Sequence, residues 1–153
     1  MGLYCAQAQV VIQDFSNLTN SKPEDVFGGF GGGQTAANTA VADPADAANT
    51  VRQVTVTAGG DEWKGVFFRP QTHYMDLTSN QTVTIKVYSD SAIYLRGIMQ
   101  GGQSGQTNID EAANTAAHTG NGWETLSFTF AGATGEWDEL AIRTSVDAAG
   151  ALN

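Results

Sequence analysis

The chain has 153 residues, only 15% of which are charged, and its formal net charge is −9. This length can bury a core as a single domain, and the one cysteine, Cys5, excludes an internal disulfide. The seven lysines and arginines are scattered along the chain. We therefore expect no binding to nucleic acid, whose phosphates require clustered cations, and no membrane insertion, because no apolar run approaches about 20 residues.

Residues 1–9 are predicted to form an N-terminal tail, and residues 10–153 a single module. Within the tail, Ala6-Gln7-Ala8 has the small-x-small form of a signal-peptidase site. One interpretation is the remnant of an export signal, and the other is an ordinary chain start with a disordered tip. The first interpretation, together with the acidic and weakly charged composition, predicts a secreted or cell-surface protein.

Short runs of alternating apolar and polar residues, separated by turn residues, predict strands throughout the module. In chain order these runs cover residues 10–15, 35–42, 51–57, 63–68, 82–88, 93–99, 123–130 and 138–146. The glycine-rich residues 27–33 are expected to form a bulged or bent strand, because no helix signal follows them as a phosphate loop would require. Residues 110–117 fit a helical turn and an extended strand equally well.

The spacing of these strands and the absence of a long helix predict an all-β fold, an antiparallel β-sandwich. A jelly roll is the leading topology. Alternation also predicts which side chains face the core. The inward-facing residues are expected to be Val83, Ile85, Val87, Leu126, Phe128, Phe130, Leu140 and Ile142.

No motif in the sequence marks a catalytic site. The two histidines, His73 and His118, lie outside any HExxH, GxSxG or Cys/His pattern, and we expect them to be solvated. Asp61-Glu62, Asp110-Glu111 and Asp138-Glu139 are pairs of the residue type that glycosidases use. Their polar, turn-like contexts predict ionised side chains rather than the raised pKa of a general acid, so we predict no enzyme activity.

Aromatic and polar residues near strand ends favour carbohydrate binding, because flat rings stack on sugar C–H patches while a few polar groups fix orientation. The predicted ligand-binding residues are Trp63, Tyr74, Tyr94, Arg96, Gln100 and Trp137. Trp63 is expected to be the stacking platform, and Trp137 and Tyr74 are expected to be rim contacts. Each has a structural alternative; Arg96, for example, is also expected if it neutralises a neighbouring acid.

A series of loose motifs in a fixed order resembles a known family. The series is Gln13-Asp14-Phe15, residues 27–33, Val41-Ala42-Asp43-Pro44, residues 60–65 around Trp63, Lys86-Val87-Tyr88-Ser89, Leu95-Arg96 and Trp123-Glu124-Thr125-Leu126-Ser127-Phe128-Thr129-Phe130. It resembles the jelly-roll carbohydrate-binding modules that are appended to laminarinases, to other glucanases and to secreted surface proteins of polysaccharide-degrading bacteria. The similarity covers most of the chain from about residue 10 onward.

The resemblance implies a sugar cleft across one sheet, with Trp63 matching the family's Trp-x-Gly element and Arg96 a basic residue on a central strand. It also implies a structural Ca²⁺ with Asp14 as a ligand, although Ser16 replaces the usual glutamate of that strand. The family's usual closing strand has no counterpart before Asn153. This predicts a fragment, an open edge or a strand supplied by a neighbouring chain.

The sequence therefore predicts a non-catalytic module that binds a neutral polysaccharide, a β-glucan such as laminarin. Its partners would be the polysaccharide and an attached catalytic domain or neighbouring subunit, and Ca²⁺ is the only cofactor predicted. The alternative is a structural or adhesion subunit of a phage or cell-surface fibre, which would assemble through the same sandwich by adding a strand at an open edge.

Overall fold

The computed structural model of the chain describes residues 26–32, 34–56, 59–70 and 74–152. The strands in these ranges are β1 (Val26–Phe30), β2 (Gln34–Ala42), β3 (Thr50–Val56), β4 (Gly65–Arg69), β5 (Met75–Asp76), β6 (Thr82–Ser89), β7 (Ile93–Gln100), β8 (Thr115–His118), β9 (Gly122–Thr129), β10 (Glu136–Trp137) and β11 (Glu139–Arg143). Short 3-10 turns occupy Gly102–Ser104 and Ala112–Asn114. The predicted tail 1–9, the predicted strand 10–15, Asp14 and His73 lie outside the described residues.

The strands form antiparallel sheets in two layers. One layer is a five-stranded sheet with the order β1-β4-β11-β7-β8. The remaining strands form the two-stranded sheets β2-β3, β6-β9 and β10-β5. The predicted all-β fold, an antiparallel β-sandwich, is confirmed, and the chain passes repeatedly between the layers, as from β6 to β7 and from β8 to β9.

The core lies between the five-stranded sheet and the β6-β9 pair. The inward-facing Leu126, Phe128 and Phe130 are buried, as the alternation predicts, and they belong to one hydrophobic cluster with residues of the opposite sheet. Contact between the layers is close at Gly97 on β7, where an added Cβ would lie 2.7 Å from Cγ of Phe128. Only glycine leaves room for that ring.

Residues 110–117 and the glycine-rich segment can now be compared with their predicted secondary structure. Residues 110–117 contain both predicted forms, because the 3-10 turn Ala112–Asn114 leads directly into β8. In the glycine-rich segment, β1 pairs with β4 in an unbroken register from Val26 to Phe30. The bulge expected there is therefore absent from β1, and the glycines serve another purpose, described below.

Trp137 and His118 are more buried than the sequence predicts. Trp137 was expected at the rim of a ligand site, but it is 3% exposed and belongs to the core, because β10 pairs with β5 and places Trp137 opposite the buried Met75. His118 was expected to be solvated, but it lies buried at the end of β8. Its Nδ1 accepts the Gly120 N–H at 2.9 Å, and its Nε2 lies 3.1 Å from the Val87 carbonyl oxygen, so both ring nitrogens have hydrogen-bond partners inside the protein.

Within the described ranges, no helix combines the length and the apolar character needed to cross a bilayer.

Candidate functional site

The candidate site lies on the outer face of the five-stranded sheet, opposite the core. Strand residues alternate between the two faces, and the register aligns their outward side chains in rows. One row joins Phe67, Ala141 and Ile98 across β4, β11 and β7. A second row joins Glu139 to Gln100, and a third joins Arg143 to Arg96.

An open cavity of about 400 Å³ lies on this face. Its aromatic wall consists of Phe30, Trp63 and Phe67. The charged lining residues are Arg69, Asp110, Glu139 and Arg143, and the remaining lining residues are Ile98, Gln100 and Asn108. The lining combines flat rings with a few polar groups, which are the kinds of side chain that line small-ligand sites.

Two glycines are the cross-strand partners of the two phenylalanines in the wall and leave room for their rings. Across the β1-β4 pair, Gly28 faces Phe67 and Gly65 faces Phe30. A Cβ at Gly28 would lie 2.6 Å from Cζ of Phe67, and a Cβ at Gly65 would overlap the ring of Phe30. Because glycine has no side chain, each ring lies across the neighbouring strand, which gives the glycine-rich segment its role in the wall.

Trp63 extends the wall into solvent. Its side chain is 49% exposed, and its ring is stacked on Phe30 with a centroid separation of 6.2 Å and an interplanar angle of 8°. The turn that carries it is attached to the loop after β1, because Gly32 donates its N–H to Asp61 Oδ2 at 2.8 Å. Arg143 also donates to the Trp63 carbonyl oxygen at 3.1 Å. The ring is therefore exposed and stacked on Phe30, while the backbone that carries it is held by hydrogen bonds.

Arg69 and Glu139 form one ion pair of the lining. The Arg69 guanidinium lies 5.5 Å from the centroid of the Phe67 ring and pairs with Glu139 Oε2 at 2.5 Å. A second acid, Asp138, lies 3.7 Å from Arg69 Nε. Burial raises the pKa of Glu139, and the neighbouring guanidinium of Arg69 opposes this rise without cancelling it.

Asp110 forms the second ion pair with two arginines at once. Its Oδ2 accepts a hydrogen bond from Arg143 Nη2 at 2.5 Å, and its Oδ1 accepts one from Arg96 Nη2. Burial raises the pKa of Asp110, but the hydrogen bonds and charges of Arg143 and Arg96 outweigh burial and hold it below its usual 3.8. Asp110 is therefore a stable anion near neutral pH.

The structure does not bring the predicted ligand-binding residues together at one site. Trp63 and Gln100 line the cavity. Tyr94, 38% exposed, lies on the same sheet face, two residues before Arg96. Tyr74 is also 38% exposed, but it precedes β5 and is not among the residues that line the cavity.

Arg96 does not line the cavity; it positions Asp110, which does. Its side chain is 13% exposed, and its guanidinium donates to the carbonyl oxygens of Gly150 at 2.8 Å and of Asp110 at 3.0 Å, in addition to the Asp110 carboxylate. These contacts fit the alternative interpretation, in which Arg96 neutralises a neighbouring acid, and that acid is Asp110.

Sequence reasoning missed most of the charged lining. Arg69, Glu139 and Arg143 were not predicted, and the pair Asp138-Glu139 was expected to be wet, which is wrong because both residues are buried. A signal was present: in β11, Glu139 and Arg143 occupy the face opposite the inward Leu140 and Ile142. Alternation therefore marks the outer face, but it does not reveal that acids and bases from distant strands meet there.

The charges that line the cavity cancel. Two arginines, Arg69 and Arg143, stand against two carboxylates, Asp110 and Glu139, and each is already paired within the protein. Charges paired in this way attract an ionic ligand weakly, yet their remaining lone pairs and N–H groups can bind hydroxyls. The lining therefore suits an uncharged, hydroxylated ligand.

Among residues 26–32, 34–56, 59–70 and 74–152, no three His, Cys, Asp or Glu side chains are grouped as a metal site. The predicted Ca²⁺ ligand Asp14 lies outside these ranges, so the calcium site stays a prediction.

Comparison of the chain with protein-family models, with curated proteins and with solved structures yields no match. The resemblance to carbohydrate-binding modules therefore stays a prediction, and the geometry of the site carries the functional proposal.

Proposed function

We propose that this chain is a non-catalytic module that binds a neutral polysaccharide, a β-glucan such as laminarin, in the cavity on the outer face of the five-stranded sheet. One observation carries the proposal. An aromatic wall with one exposed ring, Trp63, and a set of mutually neutralised charged groups line the same open cavity. Stacking and hydroxyl recognition are thus available in one place.

In this proposal each part of the lining has a separate role. The exposed ring of Trp63 stacks on a sugar ring, and the planar amides of Gln100 and Asn108 bind hydroxyls at its edge. The ion pairs hold their oxygens and nitrogens in place before ligand arrives, which reduces the entropy lost on binding. Affinity is expected to be modest, because sugar hydroxyls exchange hydrogen bonds with water for hydrogen bonds with protein.

Native affinity electrophoresis tests the proposal. We expect laminarin, but not soluble cellulose derivatives or DNA, to retard the protein, and Trp63→Ala to abolish retardation while leaving the thermal midpoint nearly unchanged. Trp123→Ala is the matched control, because Trp123 is 36% exposed but lies on β9 in the other layer. Unaltered retardation of Trp63→Ala would contradict the assignment of the platform. A stable high-order oligomer that no glycan retards would instead support the fibre subunit.

A second candidate function, glycoside hydrolysis, is favoured by one observation. Asp110 and Glu139 line the same cavity, and their pKa values are shifted in opposite directions, as in a pair of glycosidase carboxylates. Their contacts argue against this function, because two guanidiniums make Asp110 a weak base and nucleophile and Arg69 pairs with Glu139. We expect no release of reducing ends from laminarin. Release that Glu139→Gln abolishes would overturn the non-catalytic proposal.

A further inference from the structure

Two arginines stand side by side on the outer face of the sheet, and one of them, Arg143, lines the cavity. Arg96 on β7 and Arg143 on β11 are directly opposed in the antiparallel register, with both side chains on the outer face. Like charges in this arrangement repel each other. Their side chains are also largely shielded from water, at 13% and 15% exposed, so solvent screens the repulsion less than it would at an open surface.

Asp110 is placed to neutralise this pair. The preceding residue, Ile109, exchanges two backbone hydrogen bonds with Met99, at 2.8 and 3.0 Å, which fixes the segment beside β7. Each Asp110 carboxylate oxygen then accepts from a different arginine. The guanidinium groups that could bind an anionic ligand are therefore occupied by a carboxylate of the protein itself.

Removing this carboxylate changes the charge of the cavity. The lining has two arginines and two carboxylates, so its net charge is zero, and neutralising Asp110 makes it +1. The positive charge would be concentrated on Arg143, which lines the cavity, and Arg96 lies opposite it on the neighbouring strand. Guanidinium groups bind carboxylates and sulfates strongly when no other anion occupies them.

We propose that Asp110 is the specificity-determining residue that makes this cavity favour uncharged over acidic polysaccharides, because its carboxylate occupies the guanidiniums of Arg96 and Arg143. This inference rests on the proposed function, since it concerns the ligand class of the same cavity. It goes further by naming the residue that excludes acidic chains.

The test compares two polymers with one backbone, laminarin and carboxymethylated laminarin. We expect Asp110→Asn to bind the carboxymethylated polymer about tenfold more tightly than wild type does, the scale of one charge-assisted hydrogen bond. Added salt should weaken this new binding, because it depends on charge. Glu111→Gln is the matched control, because it removes the same charge from the next residue, which is exposed and outside the cavity lining.

A compensating variant separates local charge from distortion of the site. Asp110→Asn combined with Arg143→Gln returns the lining to zero net charge, and we expect the acquired binding to be lost. Thermal midpoints establish that each variant is folded. If Asp110→Asn does not fold, Asp110→Ser takes its place, because it also removes the charge and supplies a hydroxyl that can accept a hydrogen bond from one arginine.

The outcomes separate this inference from the proposed function. Retardation of wild type by laminarin, with no gain for the acidic polymer in Asp110→Asn, would keep the function and overturn the inference. An equal gain in Glu111→Gln would also overturn it, because total charge would then be the cause. If wild type binds neither polymer, the proposed function fails, and the inference that rests on it fails with it; the binding of laminarin by wild type distinguishes this outcome from a failure of the inference alone.

Discussion

The two faces of the five-stranded sheet are built from the same strands but are stabilised by different forces. On β11, Leu140 and Ile142 point into the hydrophobic core, while Glu139 and Arg143 point outward into the candidate site. The inner face depends on removing apolar surface from water. On the outer face, the shielded charges are paired: Glu139 with Arg69, and Arg143 with Asp110.

Burial by itself therefore does not distinguish core from site. Glu139 is as buried as many core residues, at 4% exposed, yet it lies in the lining of an open cavity. A buried carboxylate is tolerated only with a partner, which Arg69 provides. The ionic partner, rather than the degree of burial, distinguishes Glu139 on the outer face from the apolar residues of the core.

Trp63 and Trp137 test this contrast between the site and the core, and Trp137 gives the largest predicted effect. Trp137 is enclosed by the core, so Trp137→Ala should lower the free energy of unfolding by about 3–5 kcal/mol, the range for large core truncations. Trp63→Ala should lower it by less than about 1 kcal/mol, as is usual at exposed positions. Urea unfolding at neutral pH measures both. Similar losses for the two variants would show that the contrast between the faces is wrong.

Breaking the ion pair of the outer face should have an intermediate effect. Arg69→Met leaves the buried Glu139 and Asp138 without this cation and should cost about 1–3 kcal/mol of stability. Adding Glu139→Gln should recover part of the loss, because it removes the carboxylate left without its cation. A double-mutant cycle in urea unfolding gives the coupling between the two residues. Additive losses would mean that the pair does not stabilise the outer face.

The smallest predicted effect is a dependence on pH. The folded-state pKa of Glu139 is raised above 4.5, chiefly by burial, so the folded protein binds this proton more tightly than the unfolded chain does. Between pH 4.5 and the raised pKa, the contribution of Glu139 to the free energy of unfolding should fall as pH rises. Glu139→Gln should remove that slope. Urea unfolding of both proteins across this range checks it, and parallel pH profiles would exclude the effect.

Asp110 should titrate in the opposite sense. Its pKa lies below 3.8, so its ion pairs with Arg96 and Arg143 should persist through the range in which Glu139 takes up its proton. The two acids of one cavity thus differ because one has two cationic partners and the other is more deeply buried beside one.

Sequence periodicity predicted the strands that have one dry face. Within β6 and β9, Val83, Ile85, Leu126 and Phe128 alternate with polar residues, and the structure pairs these strands without interruption. The exposure of Trp137 could not be predicted from its neighbours, because its burial depends on the pairing of two-residue strands distant in the sequence. The turn residues before Trp137 indicate only the local backbone, not which distant strand covers its side chain.

The sequence by itself determined the all-β class, most of the strands and the inward-facing residues, because side-chain alternation is a local property of an extended chain. It also indicated Trp63 and Gln100, two residues that line the cavity. Only the tertiary structure decided that Asp110 joins Arg96 to Arg143 and that Arg69 reaches Glu139, 70 residues away in sequence. Charge pairing across a sheet depends on strand order and register, which nothing in the local pattern specifies.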